Sequence, residues 1–409
     1  MDSLEQCRVF LDCFKANVNP SDPLPVRVPV YNLKYDEIKP AIVDWTRTYL
    51  DQFGCPQCIL TPIIRKACEE VLIQCKENPT SCGFNVRDYK TLQLNHVVIS
   101  HVNQICSNLL DNENLNKLLG ERTETDHVGA AGSLVGTRKK RHFSRGVKHR
   151  RRTMEDRHVC LPDFSVLFDT KDVEPTAFYG VYDGHGGQEA ASFATSHLHY
   201  YIAQSEHYPH DMEKAFHEGF LKTDQLFLQK CDDHHLRSGC TAVVCFHRPQ
   251  SGLLDLAWVG DSLAYAVSLS ERGVRAFNVV HHPHVASDWQ EANRVRCLGG
   301  SVILWHGQYR VDGQLAITRA IGNPCFKNVV QAVPECISRR VESDDVFLVL
   351  ASDGLWEGLD PFYASMIILY GIRKFPVGSC RSPRSRPIKP VKGKLVQLYK
   401  ATGIRAIVA

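Results

Sequence analysis

Two stretches near the start of the chain repeat apolar side chains at helical spacing. Between Ile63 and Cys75, and again between Leu94 and Leu110, an apolar residue recurs every three or four positions. This spacing places the apolar side chains on one face of an amphipathic helix. Thr61-Pro62 lies just before the first stretch, and it predicts a helix N-cap followed by a proline in the first turn. We therefore expect residues 1–120 to form a mostly helical region.

The pattern changes at about residue 151, where short apolar runs end in turn residues. These runs predict strands at 177–182, 242–247, 253–259, 264–269 and 346–351. Helix-like segments separate them at 187–203, 211–230 and 287–297. Strands that cluster, with only a few helices between them, favour an α+β sandwich over a repeated βαβ unit.

Charge is unevenly distributed along the chain. Residues 138–152 contain nine Lys or Arg, residues 371–409 contain ten, and neither segment has an acidic residue. The rest of the chain has 29 basic and 45 acidic residues, a net charge of −16, although the whole chain has a formal charge of +3. These changes predict four regions: a helical region over 1–120, a basic, glycine-containing linker over 121–147, a domain over 148–360, and a basic low-complexity tail over 361–409.

The composition excludes several classes of protein. A content of 44% hydrophobic and 23% charged residues is typical of a globular protein and excludes a wholly disordered one. No run of 18 apolar residues is present, and the first residues lack a basic segment followed by an apolar one. We therefore expect neither a membrane span nor a secretion signal. Sixteen cysteines without regular spacing favour reduced thiols in a cytoplasmic or nuclear protein.

Three of the predicted strands end in an aspartate next to a glycine, at Asp183-Gly184, Gly260-Asp261 and Asp353-Gly354. A strand end fixes the carboxylate, and glycine lets the backbone turn so that a carbonyl oxygen comes within reach of the same ion. Oxygen donors without paired His or Cys side chains select Mg²⁺ or Mn²⁺ rather than zinc. Asp-Gly is also common in ordinary turns. A single instance therefore favours a turn, whereas three together favour a metal site.

A further acidic pair, Glu155-Asp156, follows three consecutive arginines that end at Arg152. An arginine near metal-binding carboxylates can hold a phosphate, because its planar guanidinium donates to two phosphate oxygens at once. A local salt bridge, or the end of a nuclear-import signal, explains the segment equally well. The segment alone does not decide between these interpretations.

Six motifs follow one another in the order of a known family. They are Arg151-x-x-Met154-Glu155-Asp156, Tyr182-Asp183-Gly184-His185-Gly186-Gly187, Ser238-Gly239-Cys240-Thr241-Ala242, Val259-Gly260-Asp261-Ser262, the segment 310–322, and Ser352-Asp353-Gly354-Leu355-Trp356. Over about residues 148–360 the series resembles the metal-dependent protein phosphatases of type 2C, the PPM family. Residues 19–25 also resemble the subgroup that includes calmodulin-dependent-kinase phosphatase, also called partner-of-PIX phosphatase.

The resemblance implies a four-layer α/β/β/α sandwich, in which two antiparallel sheets pack face to face between outer helices. It implies hydrolysis of phosphoserine and phosphothreonine in phosphoprotein substrates by two Mn²⁺ or Mg²⁺ ions, with a weaker third ion. It implies metal-site residues at Glu155, Asp156, Asp183, Gly184 (through its carbonyl) and Asp353. It implies Asp261 as the residue that holds the third ion. It also implies Arg151 as the phosphate clamp and His185 as the general acid. Metal ions and arginine stabilise charge that develops at phosphorus, and histidine can protonate the leaving oxygen near neutral pH.

The end of the chain departs from the family pattern. The family has an Asp-Asn pair before its last strand, and that Asp is a further ligand of the first metal, whereas this chain has no acidic residue after Asp360. We therefore expect a missing last strand and weaker metal binding, since affinity follows the charge of the ligands. Two functions stay open: a phosphatase of reduced activity, and a phosphatase-like scaffold that binds phosphoproteins or signalling partners through its helical N-terminal region. Asn323 is a lesser departure, because the family usually has Asp after the preceding glycine.

Three other patterns have simpler explanations. Cys55-x-x-Cys58 has the spacing of a metal knuckle or a redox pair, but no second such pair follows it, which argues against zinc. The histidines at 281, 282 and 284 are interpreted as part of a surface loop. The basic run over 138–152 is interpreted as a linker that delivers Arg151, with nuclear import as a second use. Phe143 is its only aromatic residue, so it lacks the stacking groups of a nucleic-acid site.

Overall fold

A computed structural model describes residues 3–19, 24–125, 142–148, 151–374 and 406–408. The chain forms two compact units, one from residues 1–136 and 165–170 and the other from residues 137–164 and 171–409. This division follows spatial contacts rather than composition, so the four regions expected from the sequence stay a prediction. Most of the predicted linker and tail lies outside the described residues.

The first unit is mostly helical, as the spacing of apolar residues predicted. Its elements are α1 (Ser3–Asn17), α2 (Ile38–Gln52), α3 (Gln57–Glu77), β1 (Phe84–Asn85), β2 (Asp88–Tyr89), α4 (Thr91–Asn108) and α5 (Asn112–Thr125). Strands β1 and β2 form a short antiparallel hairpin. The buried faces of α3 and α4 carry the apolar stripes, at Ile63, Ile64, Ala67, Cys68, Val71 and Cys75 and at Leu94, Val98, Val102, Ile105 and Cys106.

Helix α3 begins five residues earlier than Thr61-Pro62 predicted. It starts at Gln57 after an extended Pro56, and Pro62 lies inside the helix. Pro62 has no backbone N–H, so the hydrogen bond to the carbonyl four residues earlier is lost. Ile59 and Leu60 on the first turn are buried, and this packing outweighs the missing hydrogen bond, because tertiary burial supplies most helix stability.

The structure does not pair Cys55 with Cys58. The Sγ atom of Cys58 lies 3.2 Å from the Sγ atom of Cys7, whereas Cys55 is buried and burial raises the pKa of its thiol. The cysteines of the described residues are free thiols. The buried cysteines of this unit therefore pack as small hydrophobic side chains.

The second unit is a sandwich of two sheets with outer helices. Its strands are β3 (Phe143–Ser144), β4 (Arg157–Leu161), β5 (Ala177–Tyr182), β6 (Gly184–His185), β7 (Gly239–Cys240), β8 (Ala242–Arg248), β9 (Leu253–Val259), β10 (Leu263–Ser270), β11 (Gly273–Asn278), β12 (Val302–Trp305), β13 (Gln308–Val311), β14 (Ile321–Gly322), β15 (Glu335–Arg340), β16 (Asp345–Ala351) and β17 (Ala406–Val408). The helices are α6 (Phe164–Phe168, of which only Phe164 is assigned to this unit), α7 (Glu189–Ala203), α8 (Met212–His234), α9 (Trp289–Cys297), α10 (Asp353–Trp356) and α11 (Pro361–Lys374). The predicted strands and helices of this unit are confirmed to within a few residues.

The two large sheets have five strands each. The first has the order β15-β9-β8-β5-β4, with antiparallel neighbours, and the second has the order β11-β10-β16-β17-β3. Strand β17 pairs in parallel with β16 on one side and with β3 on the other. The second sheet is therefore not wholly antiparallel, and a strand from the C-terminal segment is present where the loss of the last strand was expected.

The core lies between the facing sheets. Alternate residues of β5 (Tyr179 and Val181) pack in one cluster with Leu256 of β9 and with Leu348 and Leu350 of β16. Side chains of a strand alternate between its two faces, so a buried set with period two means that one face of each sheet points inward.

The outer faces of both sheets are covered by helices. On the first sheet, the Phe246 ring of β8 lies 5.9 Å from the Phe216 ring of α8. On the second sheet, Phe347 and Val349 of β16 pack with Ile368 of α11. The layers therefore follow the expected α/β/β/α order. Among the described residues, no helix combines the length and apolarity needed to cross a membrane.

Candidate active site

Four aspartates lie at neighbouring strand ends of the sandwich. Asp156 precedes β4 and Asp183 follows β5, and the antiparallel pairing of these strands holds the two ends side by side. Asp261 lies between β9 and β10, while Asp353 follows β16, which pairs with β10. The two sheets thus gather carboxylates that are far apart in the sequence. We refer to these four side chains as the carboxylate cluster.

Asp183 occupies the centre of the carboxylate cluster. Its pKa is raised to about 9, first by burial, then by the charges of Asp156 and Asp353, by a hydrogen bond with Asp353, and by the charge of Asp261. Each neighbouring negative charge disfavours ionisation of this carboxyl group, and burial removes the water that would stabilise it. Three other carboxylates therefore act directly on Asp183.

The pKa values of Asp156 and Asp261 are perturbed in the same direction. Burial raises the pKa of Asp156, although the Ser352 hydroxyl donates to its Oδ2 atom at 3.0 Å and partly opposes the shift. Burial, followed by the charge of Asp353, raises the pKa of Asp261 to about 6. The cluster as a whole therefore holds more negative charge than its surroundings stabilise.

The chemistry of the donors fits a hard divalent cation. Among the described residues, no three His, Cys, Asp or Glu side chains are arranged to hold a metal ion as they stand. Asp183 instead forms hydrogen bonds with Asp156 and Asp353, and a hydrogen bond between two carboxyl groups requires a proton on one of them. A divalent cation bound by oxygen donors would replace that proton and neutralise the repulsion.

Gly184 packs closely against a fifth acidic residue, Glu155. A Cβ atom at Gly184 would lie 2.5 Å from the backbone oxygen of Glu155, so only glycine allows the two backbones to approach this closely. The Thr153 hydroxyl donates to the Glu155 carboxylate at 3.1 Å. The charge of Glu155 acts on His185, so the structure places this carboxylate towards the histidine.

His185 is held by an asparagine. Its Nε2 atom lies 2.9 Å from Oδ1 of Asn323. Burial lowers the pKa of His185, and the hydrogen bond to Asn323 and the charge of Glu155 oppose this shift. The sequence marked Asn323 only as a departure from the family pattern, because an amide gives no sign of its partner until the strands are placed.

Arg151 precedes Glu155 by four residues and Asp156 by five. Its side chain is exposed, and its backbone N–H donates to the carbonyl of Lys148 at 3.2 Å. No hydrogen bond or ion pair joins its guanidinium to another residue of the described part of the chain. Its guanidinium is therefore exposed and available to a ligand.

Two supports of the site were missed by the sequence reasoning. The backbone N–H of Thr241 donates to the Asp183 carbonyl at 2.9 Å and fixes the backbone at the centre of the cluster. His284 is fully buried, and its Nδ1 atom accepts the Gly260 N–H at 3.1 Å, beside Asp261. The interpretation of His284 as part of a surface loop is therefore wrong. Thr241 lies in a quoted motif, which was the available signal, whereas a histidine cluster does not reveal burial.

Known proteins resemble this chain in sequence. The family described as Protein phosphatase 2C matches residues 141–375. Protein phosphatase 1E of Mus musculus is 31% identical over 354 residues, which cover 85% of this chain and 44% of that protein. Protein phosphatase 1F of Homo sapiens is 30% identical over 363 residues, which cover 86% of this chain and 77% of that protein. The chain thus spans less than half the length of phosphatase 1E.

A solved structure shares the fold. It is described as the structure of a C. elegans sex determining protein, and it is 22% identical to this chain with a TM-score of 0.65. The match covers 90% of this chain and 86% of that chain. At this identity the similarity concerns the fold alone, and it agrees with a sheet sandwich accompanied by an N-terminal helical region.

Proposed function

The chain belongs to the protein phosphatase 2C family, and on that premise we propose that it hydrolyses phosphoserine and phosphothreonine in proteins with the help of two Mn²⁺ or Mg²⁺ ions. The observation that carries the proposal is the carboxylate cluster, whose charges together with burial raise the pKa of Asp183 to about 9. Buried like charges destabilise a fold unless cations neutralise them. Strongly perturbed pKa values of this kind also concentrate at functional sites.

The residues that would hold the ions come from the strand ends. Asp183 would contact both ions, Asp353 the first, and the Gly184 carbonyl the second, with Glu155 and Asp156 in the surrounding shell. Asp261 would hold a weaker third ion. When bound, such ions supply an activated water near neutral pH and positive charge beside the phosphoryl oxygens.

The chain supplies the remaining groups itself. In the proposed reaction His185 protonates the serine or threonine oxygen as it leaves, which a histidine can do near neutral pH. Arg151 binds two phosphate oxygens through its exposed guanidinium, and this positions the phosphate for attack. Both roles need groups that are not consumed by other contacts, and the exposed Arg151 meets that condition among the described residues.

The missing C-terminal carboxylate favours reduced activity. No acidic residue follows Asp360, so the first ion would have one ligand fewer than in the family pattern, and its affinity would fall with the ligand charge. The same feature favours a second candidate function, a phosphatase-like scaffold that binds phosphoproteins or signalling partners without appreciable turnover.

Hydrolysis of a phosphothreonine peptide tests the proposal. The purified chain is assayed for phosphate release with millimolar Mn²⁺ and again with excess EDTA, beside Asp183→Asn and the control Asp232→Asn. Asp232 is exposed on α8, so its substitution should change activity by no more than about twofold. Loss of a metal ligand removes several kcal/mol of transition-state stabilisation, so Asp183→Asn should lower kcat/KM by about a hundredfold or more.

The outcomes separate the two candidate functions. Release of phosphate that stops in EDTA and in Asp183→Asn supports the phosphatase. A chain that binds the phosphopeptide but releases no phosphate at any Mn²⁺ concentration supports the scaffold. Equal activity of Asp183→Asn and the control would contradict the assigned role of the carboxylate cluster.

The location and the partner are separate proposals. We propose a cytoplasmic protein, with nuclear import driven by the basic run over 138–152, and a signalling or scaffold partner for the helical first unit. A fluorescent fusion in which the basic residues of that run are replaced by Gln tests the import. An unchanged nuclear fraction would contradict it.

A further inference from the structure

We propose that Asn323 is a positioning residue, which orients His185 for proton transfer to the leaving oxygen. The inference rests on the proposed phosphatase function, in which His185 acts as the general acid. It adds to that function a second residue, which touches neither the phosphate nor the ions. The supporting observations are a hydrogen bond, a missing side chain in a neighbouring strand, and a fixed backbone.

The hydrogen bond settles which atom of His185 is free. Nε2 of His185 lies 2.9 Å from Oδ1 of Asn323, and Asn323 is only 4% exposed. An amide oxygen can only accept, so the Nε2 atom carries a hydrogen and donates it. The Nδ1 atom is then the one that can deliver a proton. Because Nε2–H donates whether or not Nδ1 is protonated, the contact orients the ring in both protonation states.

A small three-stranded sheet creates the space for this contact. Its order is β14-β7-β6, and Gly239 in the central strand lies opposite both His185 and Gly322. A Cβ atom at Gly239 would lie 1.9 Å from Oδ1 of Asn323. Glycine in the middle of a strand often marks such a close approach. His185 of β6 and Asn323, the residue that follows β14, therefore meet beside Gly239, where the central strand has no side chain.

The backbone of Asn323 is itself fixed. It has a φ of +56°, a left-handed conformation that Asn and Asp adopt more readily than other residues with a side chain. Its N–H donates to the Ser238 carbonyl at 3.1 Å. The preceding Gly322 N–H donates to Oδ1 of the buried Asp224 at 2.7 Å, and Lys327 donates to the same oxygen at 2.9 Å. These contacts fix the backbone that carries the amide beside the histidine.

Two substitutions isolate the role of the amide oxygen. Asn323→Gly removes the oxygen and tolerates the left-handed backbone, whereas Asn323→Asp keeps an acceptor oxygen in the same place. Each is assayed on a phosphothreonine peptide, whose leaving alkoxide needs a proton, and on 4-nitrophenyl phosphate, whose leaving phenolate does not. General acid catalysis contributes about 10²–10⁴-fold. We expect Asn323→Gly to lower kcat on the peptide by about tenfold or more beyond its effect on 4-nitrophenyl phosphate, and Asn323→Asp to restore most of the peptide activity.

A third variant, in the central strand β7, perturbs the same contact. Gly239→Ala should displace the amide by collision, and we expect the same preferential loss on the peptide. It also tests the inference if Asn323→Gly fails to fold, as judged by melting temperature. Equal losses on both substrates, or an Asn323→Asp variant as impaired as Asn323→Gly, would overturn the positioning role. If the parent chain hydrolyses neither substrate with Mn²⁺, the proposed function itself fails, and the inference fails with it.

Discussion

Replacing Asp183 with Asn should make the metal-free protein more stable and the metal-loaded protein less stable than the parent. In the folded chain, burial and the neighbouring carboxylates Asp156, Asp353 and Asp261 act against ionisation of Asp183. An amide of the same size carries no charge and escapes this repulsion. The substitution also removes the group that would bind the cations. A residue retained for metal binding should therefore weaken the fold in the absence of metal.

The size of the effect follows from the pKa of Asp183. The carboxyl ionises at 3.8 in the unfolded chain and at about 9 in the folded one, so between these values the folded chain holds a proton that the unfolded chain has released. Stability therefore falls as pH rises through this window. At about 1.4 kcal/mol per pKa unit, the loss between pH 3.8 and pH 7 reaches at most about 4 kcal/mol. The burial cost of the amide offsets part of this gain, and we expect a net stabilisation of about 2 kcal/mol.

The assay is thermal or urea unfolding in EDTA at pH 6 and pH 8. A gain of about 2 kcal/mol raises the Tm of a unit of this size by about 4–8 °C. The advantage of Asp183→Asn should grow by up to about 3 kcal/mol from pH 6 to pH 8. Addition of Mn²⁺ at about a hundred times its Kd should then stabilise the parent by about 2.7 kcal/mol and the variant by much less, so the order of stability reverses.

Asp232→Asn is the matched control, because it removes an exposed carboxylate of the same kind. It should follow the parent in both buffers. An Asp183→Asn variant that is less stable than the parent in EDTA at pH 8 would refute the reasoning. That result would mean that the surroundings stabilise the ionised carboxylate rather than oppose it.

Three further substitutions test other parts of the structure. Gly184→Ala places a Cβ atom 2.5 Å from the Glu155 carbonyl oxygen. It should lower the free energy of unfolding, measured in urea, by about 2 kcal/mol or more. Unchanged stability would contradict the close approach of the two backbones. Arg248→Leu leaves Asp255, its buried partner, without a counter-charge and should cost about 3–5 kcal/mol, whereas a cost below about 1 kcal/mol would show that Asp255 is solvated. Glu291 is partly desolvated by burial, but hydrogen bonds from two arginines and a threonine lower its pKa to about 2. The ionised Glu291 therefore contributes to stability above pH 4.5, and this contribution is lost as pH falls towards 2. Glu291→Gln should lower the free energy of unfolding by up to about 3 kcal/mol at pH 7 and by progressively less below pH 4. A cost independent of pH would contradict this origin.

Much of the second unit could be predicted from the sequence, because its strands are short apolar runs that end in turn residues. Residues 177–182 were predicted as a strand and are β5, with Tyr179 and Val181 facing the core. The start of α3 could not be predicted in the same way. Pro62 normally marks a first turn, but burial of Ile59 extends the helix in front of it.

The C-terminal strand was missed for a different reason. The sequence Ala406-Ile407-Val408 is a three-residue apolar run within a basic, proline-containing segment. A run this short does not predict a strand by itself. It forms one here because it pairs with β16 on one side and with β3 on the other. Composition therefore predicted a tail where pairing with distant strands provides a strand.

The candidate site shows the same limit. The motifs of Asp183 and Asp353 suggested a metal site, but their convergence depends on how β5 and β16 lie in the sandwich. The sequence singled out Asn323 and His284 but did not indicate their roles, because an amide or an imidazole acquires a role only from the partner that the fold supplies. The partner of Asn323 is His185, and the partner of His284 is the Gly260 N–H.

Calorimetric titration of Mn²⁺ into the metal-free chain at pH 7 tests the central claim most directly. Burial and the neighbouring carboxylates raise the pKa of Asp183 to about 9, so at pH 7 a cation that binds there must displace a proton. We predict saturable binding with proton release, seen as a heat that depends on the ionisation enthalpy of the buffer, and loss of that binding in Asp183→Asn but not in Asp232→Asn. Absence of saturable binding up to millimolar Mn²⁺, or the same binding in Asp183→Asn, would contradict the claim that the carboxylate cluster is a metal site.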